Sequence, residues 1–488
     1  MSLSTALNIA QSSLLNTSRQ TSVLSRNVMD AGNADYSRRS AVLSSLAPGA
    51  RVVEIHRATN EQLFRQNLSA ISSWSGQSTL YSGAERLGFT VNGVDDATSP
   101  AKMLGALQEA LQTYSAAPSN RLLADNVVNT ARQVVRTLND GTAAIQKFRV
   151  ETDQEIAAAV NELNGLLSQF HDANKAVVNA ERTGRDPSDA LDRRDALLKK
   201  ISEYVPVSTF TRADNDMVVM AADGTTLFET VPRSIKFEPA AGYAAGAAGN
   251  KVLVDGVPVT MGAGGNTDAA GKIAGLIQLR DDVALTMQSQ MDEIARGLIA
   301  AFAETDPAVP GTLPDAPGLF TWPGAGNPPP NNMPAAGTLI NGLAGTISLN
   351  AAFTANPALL RDGGANGAGY VANPGGASYA DLLISYSNRF DQPMDFDAAA
   401  GIGIRTSLNG YSADSVGWFQ GLRQEASRAA ESKEAMAVRT AEALSNETGV
   451  NVDMEMSLLL DLEHSYQASA RLISAVDEMM AALLAAVR

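Results

Sequence analysis

Residues 449–488 read GVNVDMEMSLLLDLEHSYQASARLISAVDEMMAALLAAVR, and after Gly449 the stretch holds neither glycine nor proline. Alternating steps of four and three from Val452 reach Val452, Met456, Leu459, Glu463, Tyr466, Ala470, Ile473, Asp477, Met480, Leu484 and Val487. Nine of these eleven are apolar or aromatic, and Leu462 and Val476 cover the two gaps from the adjacent position. A repeat of that period keeps one stripe along one face of a long helix, and such a stripe asks for a partner helix. With six acids and two bases the segment carries a net −4, His464 being neutral.

The other end of the chain offers the partner. Leu3, Leu7, Ala10, Leu14, Thr17, Thr21, Leu24 and Val28 recur at the same spacing, and the charges before Val28 are Arg19 and Arg26 alone. Two heptad helices of opposite sign at the two ends bury both stripes if they pair, with positive set against negative at the seam edges. The alternative is two unrelated terminal helices packed on separate domains.

A chain of 488 residues exceeds what one core serves, so about two to four domains are expected. Its 45% hydrophobic content is enough to fold, with small residues doing much of the filling because only 5% is aromatic. The net charge of −15 argues against a nucleic-acid footprint, which needs clustered Lys and Arg. The absence of cysteine excludes disulfides, thiolate metal sites and cysteine catalysis, and suits a cytosolic protein or one exported unfolded. The first residues lack the basic and apolar regions of a secretory signal, and no apolar run reaches the length of a membrane span.

Between the ends the pattern predicts a mainly α chain with an inserted antiparallel β domain. Residues 1–58 hold the N-terminal helix and an extended or hairpin segment containing Pro48-Gly49. Residues 59–203 form the first part of a helical bundle, with a loop near 92–100 and helices over 101–114, 118–140 and 143–180. Gly184 then breaks the pattern and Ser188 caps a short helix. Within that helix, Leu191-Asp192-Arg193-Arg194-Asp195 suggests surface or inter-helix ion pairs. Residues 204–272 are β-rich, with Asp223-Gly224 and Asp255-Gly256 as hairpin turns between apolar runs. Residues 273–305 return to the bundle as a helix. Residues 306–375, with Pro328-Pro329-Pro330, are a loop-rich stretch assigned to the outer domain, in which only 346–350 looks like a strand. Residues 376–448 are the second part of the bundle, and 449–488 the closing helix.

No constellation for catalysis stands out. His56, His171 and His464 are far apart, the glycines around Gly265, Gly271 and Lys272 miss the phosphate-loop spacing, and no serine sits in a nucleophile elbow. Asp214 and Asp216, and Asp391, Asp395 and Asp397, lack the glycine and distal glutamate of a calcium loop. No catalytic residue, cofactor or metal ligand is assigned.

The ends carry more than a heptad. Gly449-Val450-Asn451-Val452-Asp453, Glu455-Met456, Tyr466-Gln467-Ala468-Ser469-Ala470-Arg471 and Asp477-Glu478-Met479 match motifs running Gly-Val-Asn-Leu-Asp-Glu-Glu, Tyr-Gln-Ala-Asn-Ala-Arg and Asp-Glu-Met. Near the other end, Asn27, Val28, Tyr36, Ser37 and Arg38 fit Asn-Ile followed by Pro-Gly-Tyr-Ser-Arg, with Ala34-Asp35 where Pro-Gly is usual. On these residues the chain resembles the bacterial flagellar rod, hook and hook-associated axial family. Leu191–Asp195 and Gly275-Leu276-Ile277-Gln278-Leu279-Arg280-Asp281 look like segments of the family's hook-associated members. The resemblance covers about 1–305 and 376–488.

The resemblance implies a structural, non-enzymatic subunit that forms the junction between hook and filament and self-assembles through its paired terminal helices. Its partners would be copies of itself in a ring, hook protein below, and a second junction protein or the filament above. Export would run through the flagellar type III apparatus, with a cytoplasmic chaperone on the C-terminal helix beforehand. The protein would end extracellular in the flagellum, bound to no nucleic acid and inserted in no membrane. The terminal helices would line the channel, the bundle would surround them and the β domain would face outward. The assembly interface falls on Leu3, Leu7, Ala10, Leu14, Leu24, Val28, Val452, Met456, Leu459, Tyr466, Ala470, Ile473, Met480 and Leu484. Two other readings remain: another axial protein (hook, distal rod or flagellin-like), and an exported enzyme or adhesin acting through 205–375.

Overall fold

The chain runs outward through helices and returns through helices, so that its two ends lie against each other. The computed structural model describes residues 3–46, 49–89, 91, 99–259, 269–308, 311–325 and 332–486. Pro48, most of the 92–100 loop, Gly265, Pro328-Pro329-Pro330 and Val487 lie outside the described residues.

Helix α1 (Leu3–Met29) leads into an antiparallel hairpin, β1 (Arg39–Leu46) and β2 (Gly49–Arg57), in which Arg39 stands opposite Arg57. Four helices follow, α2 (Glu61–Gly88), α3 (Pro100–Ala116), α4 (Arg121–Thr183) and α5 (Ser188–Tyr204). Next come two three-stranded antiparallel sheets, β3 (Val207–Thr211), β4 (Met217–Ala221) and β5 (Thr226–Phe228), then β6 (Ile235–Lys236), β7 (Leu253–Val254) and β8 (Val257–Pro258). Helix α6 (Lys272–Gln278) continues through one π turn, Leu279–Val283, into α7 (Ala284–Ala301). A stretch of short elements then holds β9 (Phe320–Thr321), α8 (Leu343–Thr346), β10 (Ser348–Leu349), α9 (Ala351–Ala355), α10 (Leu359–Asp362) and α11 (Asp381–Arg389). After the two-stranded ladder of β11 (Met394–Asp395) and β12 (Arg405–Thr406), the chain closes with α12 (Leu408–Thr448) and α13 (Val452–Ala486).

The spine is α4, which at 63 residues is about 95 Å long. Its buried stripe runs from Val127 through Leu138, Ile145, Ile156, Leu163 and Phe170 to Val177, and α3, α5, α6, α7 and α8 pack along it. The sequence pattern divides this helix in two near Gly141, but the structure keeps it continuous. Gly141 turns inward, where a Cβ would stand 2.4 Å from Met291 Cε, so the residue grants close packing that offsets its modest cost to the helix. At the far end Gly184 takes φ +63 and ends α4 with reverse-turn bonds to Ala180 and Glu181. The first turn of α5 is capped by Asp186, whose Oδ1 accepts from Ser188 N at 3.0 Å, rather than by Ser188 itself.

The Asp-Gly pairs do turn hairpins. Asp255 and Gly256 both take positive φ, as a type I′ turn requires, and Gly224 takes φ +86. The two sheets flank α4 through Phe170 against Phe228, with rings 5.0 Å apart, and through the Asn164 amide on the Ile235 carbonyl.

The stretch of short elements after α7 sits largely on the helical body. Here β10 pairs with β9, α8 packs on α4 and α7, and Leu319, Phe320, Leu343, Phe353 and Leu360 are buried. Carboxylates hold its loops: Asp292 on α7 accepts from Gly342 and Ala344 N–H, each at 2.8 Å, and Glu304 accepts from Ala365 and Asn366 N–H, each at 2.9 Å. Burial pushes the Asp292 carboxyl up to about 7, while its two backbone bonds pull the other way.

Helices α2 and α12 pair antiparallel, joined by Asn60 with Glu447, Asn67 with Thr440, and Arg423 with Glu85. On the opposite side of α2, Gly76 meets the chain entering α6. A Cβ there would lie 2.2 Å from the Ala269 carbonyl oxygen, where Gly271 N–H also bonds Ser72 O at 2.7 Å.

Two predictions follow from this packing. Gly76→Ala should destabilise the chain by about 1–3 kcal/mol because backbone has to move. Gly165→Ala, in open space on α4, should stabilise it by up to about 1 kcal/mol. Thermal unfolding by circular dichroism compares the two, and equal shifts would contradict the close approach. The second concerns pH. A carboxyl whose folded-state pKa lies above its ordinary value contributes stability that is complete below about pH 4 and lost as pH rises through about 7. The unfolding midpoint should therefore fall as pH rises from about 4 to about 7, and Asp292→Asn should flatten part of that fall.

Candidate assembly interface

Helices α1 and α13 lie side by side and antiparallel. Ser13 Oγ meets Ser469 Oγ at 2.8 Å, and Asn27 Nδ2 donates to Glu455 Oε2 at 2.8 Å. Fourteen residues separate the two contacts on each helix, two heptads, so one register serves both.

The contact at Asn27 belongs to a buried polar cluster at the joint where the terminal pair meets the body. Asn27 is fully buried, and both its amide protons and both oxygen lone pairs are used. Nδ2 donates to Glu455 and, at 2.8 Å, to the Arg39 carbonyl; Oδ1 accepts from Tyr36 Oη at 2.8 Å and Arg39 N–H at 3.1 Å. Glu455, also fully buried, accepts at its other oxygen from Arg38 Nε at 2.7 Å. Burial holds the Tyr36 phenol above its ordinary pKa, so it donates as a neutral hydroxyl. The backbone joins in, since Arg38 N–H bonds the Thr448 carbonyl at the end of α12.

Local sequence explains why α13 starts here. Asn451 caps it, its side chain accepting from Met454 N–H at 3.1 Å, and Asp453 and Glu455 place negative charge in its first turn, where the helix dipole favours it. Gly449 is required by space: a Cβ would lie 2.4 Å from the Ser445 carbonyl oxygen.

Ion pairs fix the same joint to α5. Arg39 and Arg57, cross-strand neighbours at the base of the hairpin, share Asp192, at 2.8 Å from Arg39 and 2.7 Å from Arg57. Asp189 completes the Arg39 pair at 2.7 Å and Asp195 the Arg57 pair at 2.7 Å. Burial by itself would lower the Arg39 pKa, but its bonds to Asp192 and Asp189 hold it above the ordinary value, and the Tyr36 ring covers its guanidinium at 4.7 Å. The aspartates of the Asp192 segment thus pair with the hairpin strands, not with another helix as the sequence suggested.

The structure sorts the sequence-predicted residues into three groups. Ala10, Leu24, Asn27, Tyr36 and Ser37 are buried, while Leu3, Leu7, Leu14, Val28, Arg38, Gly449, Leu459, Ala470 and Ile473 are half-buried. Val452, Met456, Tyr466, Met480 and Leu484 face solvent, as do Asn451, Asp453, Gln467, Arg471, Asp477 and Glu478. On α13 the buried side chains are instead Glu455 and Val476. The reason is geometric: one partner helix covers a narrow strip, while the apolar face of α13 is wider, with Leu460, Leu472, Met479 and Leu483 also exposed. The expected pairing of α1's arginines with the acids of α13 is not made at Arg26, which turns to Asp189 at 3.1 Å; the opposite charges that meet at this joint are Arg38, beyond the end of α1, and Glu455. Arg39, Arg57 and Asp189 have a local signal in the sequence, the three-residue spacing of Asp189, Asp192 and Asp195 along α5. Among the described residues no cluster of metal-ligating side chains occurs and no helix is long and apolar enough to cross a membrane.

Comparison with known proteins agrees with the terminal motifs. Residues 93–306 match the family described as flagellar hook-associated protein FlgK helical domain, and 443–486 match the flagellar basal body rod FlgEFG protein C-terminal family. The chain is similar to flagellar hook-associated protein 1 of Bacillus subtilis (strain 168), with 21% identity over 406 residues, 78% of this chain and 74% of that protein. In fold it is similar to the flagellar hook junction protein FlgK from Burkholderia pseudomallei, with a TM-score of 0.57 and 12% identity, covering 78% of this chain and 99% of that one.

Asp192→Ala leaves Arg39 with Asp189 alone and Arg57 with Asp195 alone, and should weaken hairpin docking by about 1–3 kcal/mol. Amide exchange over 39–57 should quicken while α4 stays protected; unchanged exchange would assign the docking to other contacts.

Proposed function

We propose that this chain is a flagellar hook-associated protein, a structural component of the flagellar axis, and that it forms the junction between hook and filament; its similarities to such proteins support the reading. The observation that carries this reading is the terminal pair: α1 and α13 cover one another only in part and leave an apolar face open along α13, with Val452 43%, Tyr466 49% and Leu484 71% exposed. A surface of that kind is stable when neighbouring copies cover it.

In this reading the terminal pairs of successive subunits pack together as the inner layer of the assembly, on the interface and motif residues named from the sequence. The helical body surrounds them and the two small sheets lie outermost. The subunit is not an enzyme. It is exported unfolded through the type III apparatus, meets a chaperone on α13 before export, and contacts hook protein on one side and the second junction protein or filament on the other. Its place is outside the cell, in the flagellum. The lack of cysteine fits a chain that folds after passage without oxidative cross-links.

Deletion of 466–488 tests the reading. The body, whose core lies in α2–α12, should keep its unfolding transition, while cells carrying the truncation should lose attached filaments and the chain should lose chaperone binding. Normal filaments on such cells would overturn the junction role.

A further inference from the structure

We propose that Glu455, held between Asn27 and Arg38, is the residue that sets the register of the terminal helix pair. The seam between α1 and α13 specifies register poorly. Of the side chains α1 buries between its start and Leu24, Asn16 accepts from Val52 N–H of the hairpin, which leaves Ala10 and Thr17, and α13 buries only Val476 besides Glu455. Small side chains at heptad spacing make shallow knobs, and a slip of seven residues returns the same faces to each other. Such a slip moves α13 by about 10 Å along the pair.

The polar cluster does not survive that displacement. Glu455 would lose Arg38 at 2.7 Å and Asn27 at 2.8 Å together, and the fully buried Asn27 would keep an unmet donor. A buried carboxylate without its partners costs far more than the seam's methyl contacts differ between registers. Asn27 cannot follow, because Tyr36 and the Arg39 backbone hold its other three bonds. One buried polar contact at one end thus selects a single alignment for the whole pair, and with it which apolar residues of α13 are left facing outward. The inference concerns the pair within one chain, so its fate is separate from that of the junction reading.

The chain has no native cysteine, which makes the test clean. Three full-length double variants each place Ser13→Cys opposite one second cysteine: Ser469→Cys for the observed register, and Leu462→Cys or Val476→Cys for one heptad of slip either way. In the otherwise native chain the 13–469 disulfide should close in a glutathione buffer with at least about tenfold preference over both others. Adding Glu455→Leu, or separately Asn27→Leu, should reduce that preference to within about twofold while circular dichroism shows the helices retained. The milder Glu455→Gln keeps one acceptor and should fall between. Retention of the full preference in both leucine variants would overturn the proposal, and so would equal closure of all three pairs in the native chain.

Discussion

Everything at the chain ends depends on one buried carboxylate. Glu455 lies at the start of α13 with no exposed surface, and its two oxygens are taken by Asn27 from α1 and Arg38 from the segment before the hairpin. Removing a charge from water is costly unless each lone pair finds a donor in good geometry. Three separate stretches of chain therefore have to be in place at once. Asn27 extends the demand, because its oxygen serves Tyr36 and the Arg39 amide. The result is a rigid joint from which two otherwise weakly packed helices project.

That joint is tied to the body by charge rather than by apolar burial. The aspartates of α5, three residues apart, hold the two arginines at the base of the hairpin, so the hairpin acts as a bracket between the terminal pair and the long spine of α4. Apolar surface is kept for the body, where α4 gathers the core, and for the outer face of α13, where it stays uncovered within one chain. This division suits the proposed role, in which the body folds alone and the ends are completed by neighbouring copies.

Glycines decide how closely the body packs. Gly76 and Gly275 let α2 and α6 approach to the point where either Cβ would strike backbone, and Gly141 admits Met291 against the spine. Each weakens a helix locally and gains a contact that no larger residue allows. A periodicity reading counts such a glycine as an interruption, which is why α4 looked like two helices.

The heptads at both ends, the Asp-Gly hairpins, the alternation of helical and β stretches and the terminal motifs are local patterns, and the sequence by itself determined them. Period and turn chemistry are properties of neighbouring residues. The same patterns pointed to Asn27, Tyr36, Arg38 and Asn451 without saying what each one does. Tertiary structure alone decided that Glu455 rather than the apolar seam makes the specific contact, that Arg38 supplies the opposing charge, and that Met456, Tyr466 and Leu484 stay open. It also decided that the stretch after α7 rests on the helical body through Asp292 and Glu304. Those outcomes depend on which distant groups meet in a site without water, and burial of that kind is a property of the folded whole.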